Sequence, residues 1–185
     1  MTHRFIVKLL LFTLVSLGVV SCYRSPCDVP ASLTTSGEVL EQSFTSEVGR
    51  FKVDLPPPQN APTPEGNGTI RYRWFFINSG QFEISYTDYA NDLEHTNDHH
   101  DFFDRLRDLY VNKVPGQIEI DRELLLSGHP GRYLKVRREN SFDLSRLYLV
   151  GNRLYLVSAV VPVKLECALP GTEKTLASFE LVDEN

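Results

Sequence analysis

Three histidines and three aspartates fall within ten residues of one another, in the stretch EHTNDHHDFFD: His95, Asp98, His99, His100, Asp101 and Asp104. Imidazole and carboxylate together suit zinc or another divalent ion. A spacing of four brings His95 and His99 to one face of a helix, and with Asp98 they make a candidate metal site. The H-E-x-x-H arrangement, which would add a general base to such a pair, is absent. The same residues also read as a solvated helix start, since carboxylates there are favoured by the helix dipole. No complete nucleophile–base constellation stands out elsewhere in the chain, and the three cysteines include no C-x-x-C spacing. The expectation is therefore a non-enzymatic protein without a cofactor. His129, in the turn-forming run SGHPG, is one further titratable group.

These residues must be positioned by a sheet centred on Ser127–Pro162. Around Leu134 and Val136, residues 131–138 alternate apolar and polar, which predicts a strand half in water. Two copies of R-L-Y-L-V, at 146–150 and 153–157, flank Gly151-Asn152. That dipeptide tolerates the positive φ of a tight hairpin. Upstream, Phe44 opens a short strand and residues 51–55 a second, ended by Pro56-Pro57-Pro58. Residues 69–77 place Tyr72, Trp74 and Phe76 on one side and Arg71, Arg73 and Phe75 on the other. After Asn78-Ser79-Gly80, residues 81–87 return as the second arm of a hairpin.

Residues 91–116 change to helical period. Phe102, Phe103, Leu106, Leu109, Tyr110 and Val114 form one stripe, and Pro115-Gly116 ends the helix. A strand over 117–127, a loop over 163–170, a short helix over 171–178 and a closing strand over 179–182 complete the pattern. This order predicts an α+β domain: an antiparallel sheet of roughly seven to eight strands with one long and one short helix packed on it.

The N-terminus carries a different signal. Arg4 and Lys8 precede an apolar run from Leu9 to Val20, too short for a membrane-spanning helix but suited to secretion. Val19-Val20-Ser21-Cys22 resembles a bacterial lipobox. The resemblance implies a signal peptide over residues 1–21 and acylation of Cys22, with several acyl chains such as palmitate anchoring the protein to a membrane. Plain secretion without lipid is the alternative. Residues 22–41, rich in proline, serine and threonine, then read as a flexible tether, and residues 42–185 as the domain. With Cys22 committed to lipid, Cys27 and Cys167 either form a disulfide in an oxidising compartment or remain thiols. The whole chain has a net charge of −5; loss of Arg4 and Lys8 with the signal peptide, which holds no acids, takes it to −7. That sign disfavours nucleic acid as a partner.

The order of a G-x-P-G-R-Y-type strand (SGHPGRY), the R-L-Y-L-V-G-N-R-L-Y-L-V hairpin and a short helix running into A-S-F-E-L is similar to the PsbP-like group. That group includes photosystem-II-associated lumenal proteins and bacterial lipoproteins. The likeness runs from about Phe44 to the C-terminus. Together the two resemblances imply a lipid-anchored protein of the cell envelope, in the inner or outer membrane. Its expected role is a non-catalytic protein-binding or assembly-support module with an envelope protein partner. A small-ligand binder and a divalent-metal protein or enzyme using His95, His99 and His100 are the alternatives.

Overall fold

The computed structural model describes residues 42–76, 80–90, 99–113 and 115–182. His95, Asp98, Cys22 and Cys27 lie outside the described residues, as does the whole of residues 1–41. The strands are β1 (Phe44–Ser46), β2 (Phe51–Val53), β3 (Thr63–Pro64), β4 (Thr69–Phe76) and β5 (Gly80–Asp88). Helix α1 (His99–Lys113) follows. Next come β6 (Gln117–Leu126), β7 (His129–Arg137), β8 (Ser141–Val150) and β9 (Arg153–Pro162). A 3-10 helix (Val163–Ala168), helix α2 (Leu169–Ala177) and β10 (Glu180–Leu181) close the domain. This is the expected α+β class.

The strands form two sheets, antiparallel throughout. The main sheet has seven strands in the order β3-β4-β5-β9-β8-β7-β6, and a small one has the order β1-β2-β10. The hairpin at Gly151-Asn152 is present, with Gly151 at φ 59°. Each R-L-Y-L-V run sends its leucines to one face and its tyrosine to the other, as the period of two requires. Leu147, Leu149 and Leu154 are buried beneath α1 with Phe103 and Leu134, while Leu156 packs there partly exposed. Tyr148 and Tyr155 join the opposite, larger core.

That larger core is aromatic. Phe179, just before β10, stacks on Tyr148 (5.8 Å between centroids) and Phe51 (5.5 Å) and tilts against Tyr155 at 5.4 Å. Trp74 donates from Nε1 to the Pro56 carbonyl at 2.7 Å, which seats the proline segment on the sheet. Arg153 ties the β1–β2 turn down. Its guanidinium holds Asp88 through two bonds of 2.5 and 2.7 Å and donates to the Val48 and Gly49 carbonyls. The Tyr155 hydroxyl reaches the same Gly49 carbonyl at 2.9 Å.

Several local expectations change. The turn before β7 shrinks to Ser127-Gly128, both at positive φ, so His129 opens a strand opposite Leu126 instead of sitting in a loop. Gly131 lies flat against β8; a Cβ there would come within 2.5 Å of the Leu147 carbonyl oxygen. β7 is not half in water: Tyr133 is buried on one side, where Arg122 and Arg146 lie over its ring and Glu173 of α2 accepts a hydrogen bond from its hydroxyl at 3.1 Å, and Leu134 and Val136 are buried on the other. The expected loop over 163–170 is a 3-10 turn running into α2, where Pro170 falls in the first turn and costs no hydrogen bond. Finally, the helical stripe is narrower than its sequence suggests. Phe103 is buried, Phe102, Leu106 and Tyr110 are partly covered, and Leu109 is 59 % exposed. α1 rests on one flank over β7, and Val114 lies outside the described residues.

Candidate functional site

His99 and His100 are the first two residues of α1, where the chain comes over the β6–β7 hairpin. Their rings lie 4.2 Å apart. The His100 Nδ1 is 3.1 Å from the Glu123 Oε1 on β6, both side chains being more than half exposed. Between helix and hairpin runs a groove of about 560 Å³. Phe103, Leu124, Leu125, Pro130 and Gly131 give it apolar walls, and the two histidines and Glu123 a polar one. Leu125 is 77 % exposed at its mouth. An imidazole–carboxylate pair beside such a wall can hold an amphipathic group: the polar pair orients it by hydrogen bonding and the leucines desolvate its apolar part.

Of the expected metal set, only His99 falls among the described residues. His95 and Asp98 lie outside the described residues, and His99 sits beside His100. Among the described residues no three His, Cys, Asp or Glu side chains converge as a metal site would require. Cys167, exposed at the end of the 3-10 helix, is disulfide-bonded; Cys27 lies outside the described residues.

Beside the groove, charge fixes α1 to the hairpin. Arg132 on β7 binds Asp121 on β6 through bonds of 2.5 and 2.8 Å and Asp104 on α1 at 2.5 Å. Arg107 on α1 reaches both acids from above, at 3.1 and 3.2 Å. Hydrogen bonding by Arg132, against the opposing effect of burial and aided by Arg107, holds the Asp121 carboxyl below the ordinary aspartate range. Nearer the other end of α1, Tyr110 donates to the Asp143 carboxylate at 3.1 Å. The same carboxylate is bound by Arg138 and by the Ser141 hydroxyl. Burial, reinforced by Asp143, raises the pKa of the Tyr110 phenol.

Sequence spacing drew attention to His99 and His100 because they are neighbours. Glu123, Leu125 and Pro130 carried no such signal, since β6 and β7 bring them to the helix from more than twenty residues away. Glu119 and Asp121, alternating with Ile118 and Ile120, read as one polar side of a strand, but the register shift turns Glu119 to Lys135 on the opposite face and leaves Asp121 and Glu123 on the α1 side.

No family model matches the chain, and no curated protein matches it. Solved structures do. The chain is similar to cyanobacterial PsbP (CyanoP) from Synechocystis sp. PCC 6803, with a TM-score of 0.51 at 11 % identity, over 76 % of this chain and 91 % of that one. A protein of unknown function from Pseudomonas aeruginosa aligns at 10 % identity and a TM-score of 0.46, over 78 % and 97 % of the two chains. A protein from Bacteroides thetaiotaomicron aligns at 20 % identity and 0.42, over 77 % of this chain and 49 % of that one. The described domain therefore has a PsbP-like α+β fold. At such identities the likeness speaks for architecture and not for activity.

Proposed function

We propose that this chain is a lipid-anchored lipoprotein of the cell envelope that acts as a non-catalytic protein-binding module, attached through Cys22 and held off the membrane by residues 22–41. Support for the anchor is the lipobox-like Val19-Val20-Ser21-Cys22 after a basic, apolar leader. The observation that carries the binding role is the groove beside α1, open to solvent, with apolar walls from Phe103, Leu124, Leu125 and Pro130 and a polar one from His99, His100 and Glu123. A pairing of Cys27 with Cys167 would clip the tether to the segment before α2.

Fatty-acid labelling in cells tests the anchor: label in the wild type, lost in Cys22→Ala, is the expected result, and an unlabelled wild type sinks it. Photo-crosslinkable residues at Leu125 and, on the opposite side, at Lys52 test the binding role. A discrete envelope-protein adduct from position 125 that is weak or missing from position 52 is expected. A small-ligand binder is the second reading, favoured by a groove volume within the usual range for ligand sites, roughly 300–1,000 Å³. It predicts a co-purifying small molecule displaced in Leu125→Glu, with no adduct from position 125.

A further inference from the structure

The two outer strands of the main sheet are treated in opposite ways. β3 has two residues, one of them Pro64, and follows a proline-rich approach. An edge so short and lacking a donor at Pro64 offers a passing chain little to pair with; it covers only Ile70 and Arg71 of β4, and past it the Gln59 side chain donates to the Phe75 carbonyl. β6 has ten residues and no proline, and its inner side pairs with β7 from Gln117 to Leu126. Among the described residues no strand lies beyond it. Its guards are one register shift between Ile118 and Ile120 and a row of charges. A long edge with a free row of peptide groups is a template for another strand, and native proteins ordinarily blunt it.

We infer that the outer edge of β6 receives an extended segment of a partner protein as an added strand of the main sheet, which rests on the protein-binding reading above. The side chains of β6 say what kind of segment. On the α1 side stand Ile118, Asp121, Glu123 and Leu125, opposite Val136, Leu134, Arg132 and Pro130 of β7. The two ends of this row are exposed apolar residues, and Glu123 is three-quarters exposed. On the other side Arg122 lies over the Tyr133 ring at 5.1 Å, between Ile120 and Leu124. Directly opposed cross-strand pairs favour opposite charges and disfavour like ones. Asp121 is already held by Arg132 and Arg107, so the charge order rests on the exposed Glu123 and on Arg122: the matching strand carries apolar residues at its ends, lysine or arginine opposite Glu123 and an acid opposite Arg122. A second copy of this chain fits poorly. Two-fold pairing about Arg122 sets that arginine against itself and Asp121 against Glu123. Main-chain hydrogen bonds would supply the affinity and the charge order the choice of partner.

The test uses the full-length chain in detergent micelles and two synthetic peptides. Val-Thr-Lys-Glu-Lys-Thr-Val follows the deduced order, and Val-Thr-Glu-Lys-Glu-Thr-Val reverses its charges. The first should slow amide hydrogen exchange across residues 117–126, with the second about fivefold weaker, as a few exposed pairs allow. Glu123→Lys, at an exposed position, should narrow or invert that preference. Equal binding of the two peptides, protection confined to other strands, or protection of β6 without peptide in a dimeric chain overturns the proposal. Photo-crosslinking separates this failure from that of the broader reading. Adducts from probes at His100 and Leu125 in the groove, without protection of residues 117–126 by either peptide, keep protein binding and remove the β6 edge. No adduct from any surface position removes both.

Discussion

On the side of the small sheet and α2, the main sheet buries Trp74, Tyr155, Phe142 and Ile84 beneath Phe51, Phe179 and Leu176. On the other side, α1 covers only the leucines of β7, β8 and β9 through Phe103, Phe102 and Leu106, and ion pairs hold its flanks. Apolar burial is non-directional and is not screened by salt as charge pairs are. Ion pairs between partly exposed groups weaken with ionic strength and with protonation of their acids. The first face therefore sets the stability of the domain, and the second is the one that can loosen while the domain stays folded. The groove lies on that second face, beside the helix that charge holds in place.

The comparison breaks most visibly at Phe179. Phe179→Ala leaves a cavity among Phe51, Tyr148 and Tyr155 and should cost about 4 kcal/mol in urea unfolding; a loss below about 1 kcal/mol would mean the aromatic face is not the dominant core. Arg138→Ala comes next. It strands the buried Asp143 carboxylate with only Tyr110 and Ser141, a loss of about 3 kcal/mol for a buried pair deprived of one member. Arg132→Ala should cost less, about 1–2 kcal/mol, since its acids keep some solvent and Asp121 keeps Arg107. Its effect should shrink in high salt and appear first as faster amide exchange in α1, whereas equal acceleration in β4 and β5 would contradict a separately held helix.

Acid gives a subtler separation. Asp121 on the α1 side and Asp88 at the Arg153 clamp are both held below the ordinary range, each chiefly by its arginine hydrogen bonds. A carboxyl depressed in the folded state contributes stability that is complete above its unfolded value, about 3.9. That contribution disappears as the pH drops through the folded value. Exchange of α1 should therefore accelerate below about pH 4, and Arg132→Ala should flatten that dependence while leaving the clamp's own unchanged. The smallest effect belongs to His100→Ala. Its pair with Glu123 is exposed on both sides, so stability should change by under about 0.5 kcal/mol. A larger loss would make the groove part of the structural core.

Much of the architecture was readable without coordinates, and for local reasons. Gly151-Asn152 between matched R-L-Y-L-V arms permits only a tight hairpin, and the alternation of Tyr72 and Trp74 against Arg71 and Arg73 places one face inward. The errors share a cause as well. Tyr133 looked solvent-facing because a strand pattern does not reveal that Arg122, Arg146 and Glu173 of α2 come to cover it. Leu109 looked buried because a helical stripe does not say how wide its seat is. Of the site, His99 and His100 were legible as neighbours, but Glu123 and Leu125 join them only through the β6–β7 hairpin.

Composition and periodicity settled what each segment could form on its own: strand, turn or helix, and which side chains favour water. Those preferences act over a few residues, within reach of one turn or one pleat. The fold alone chose that β5 lies beside β9, that β10 pairs with β2, and that α1 closes over the leucines of the central hairpin. Such choices compare the burial of whole faces against one another, and no short stretch of chain contains both sides of that comparison.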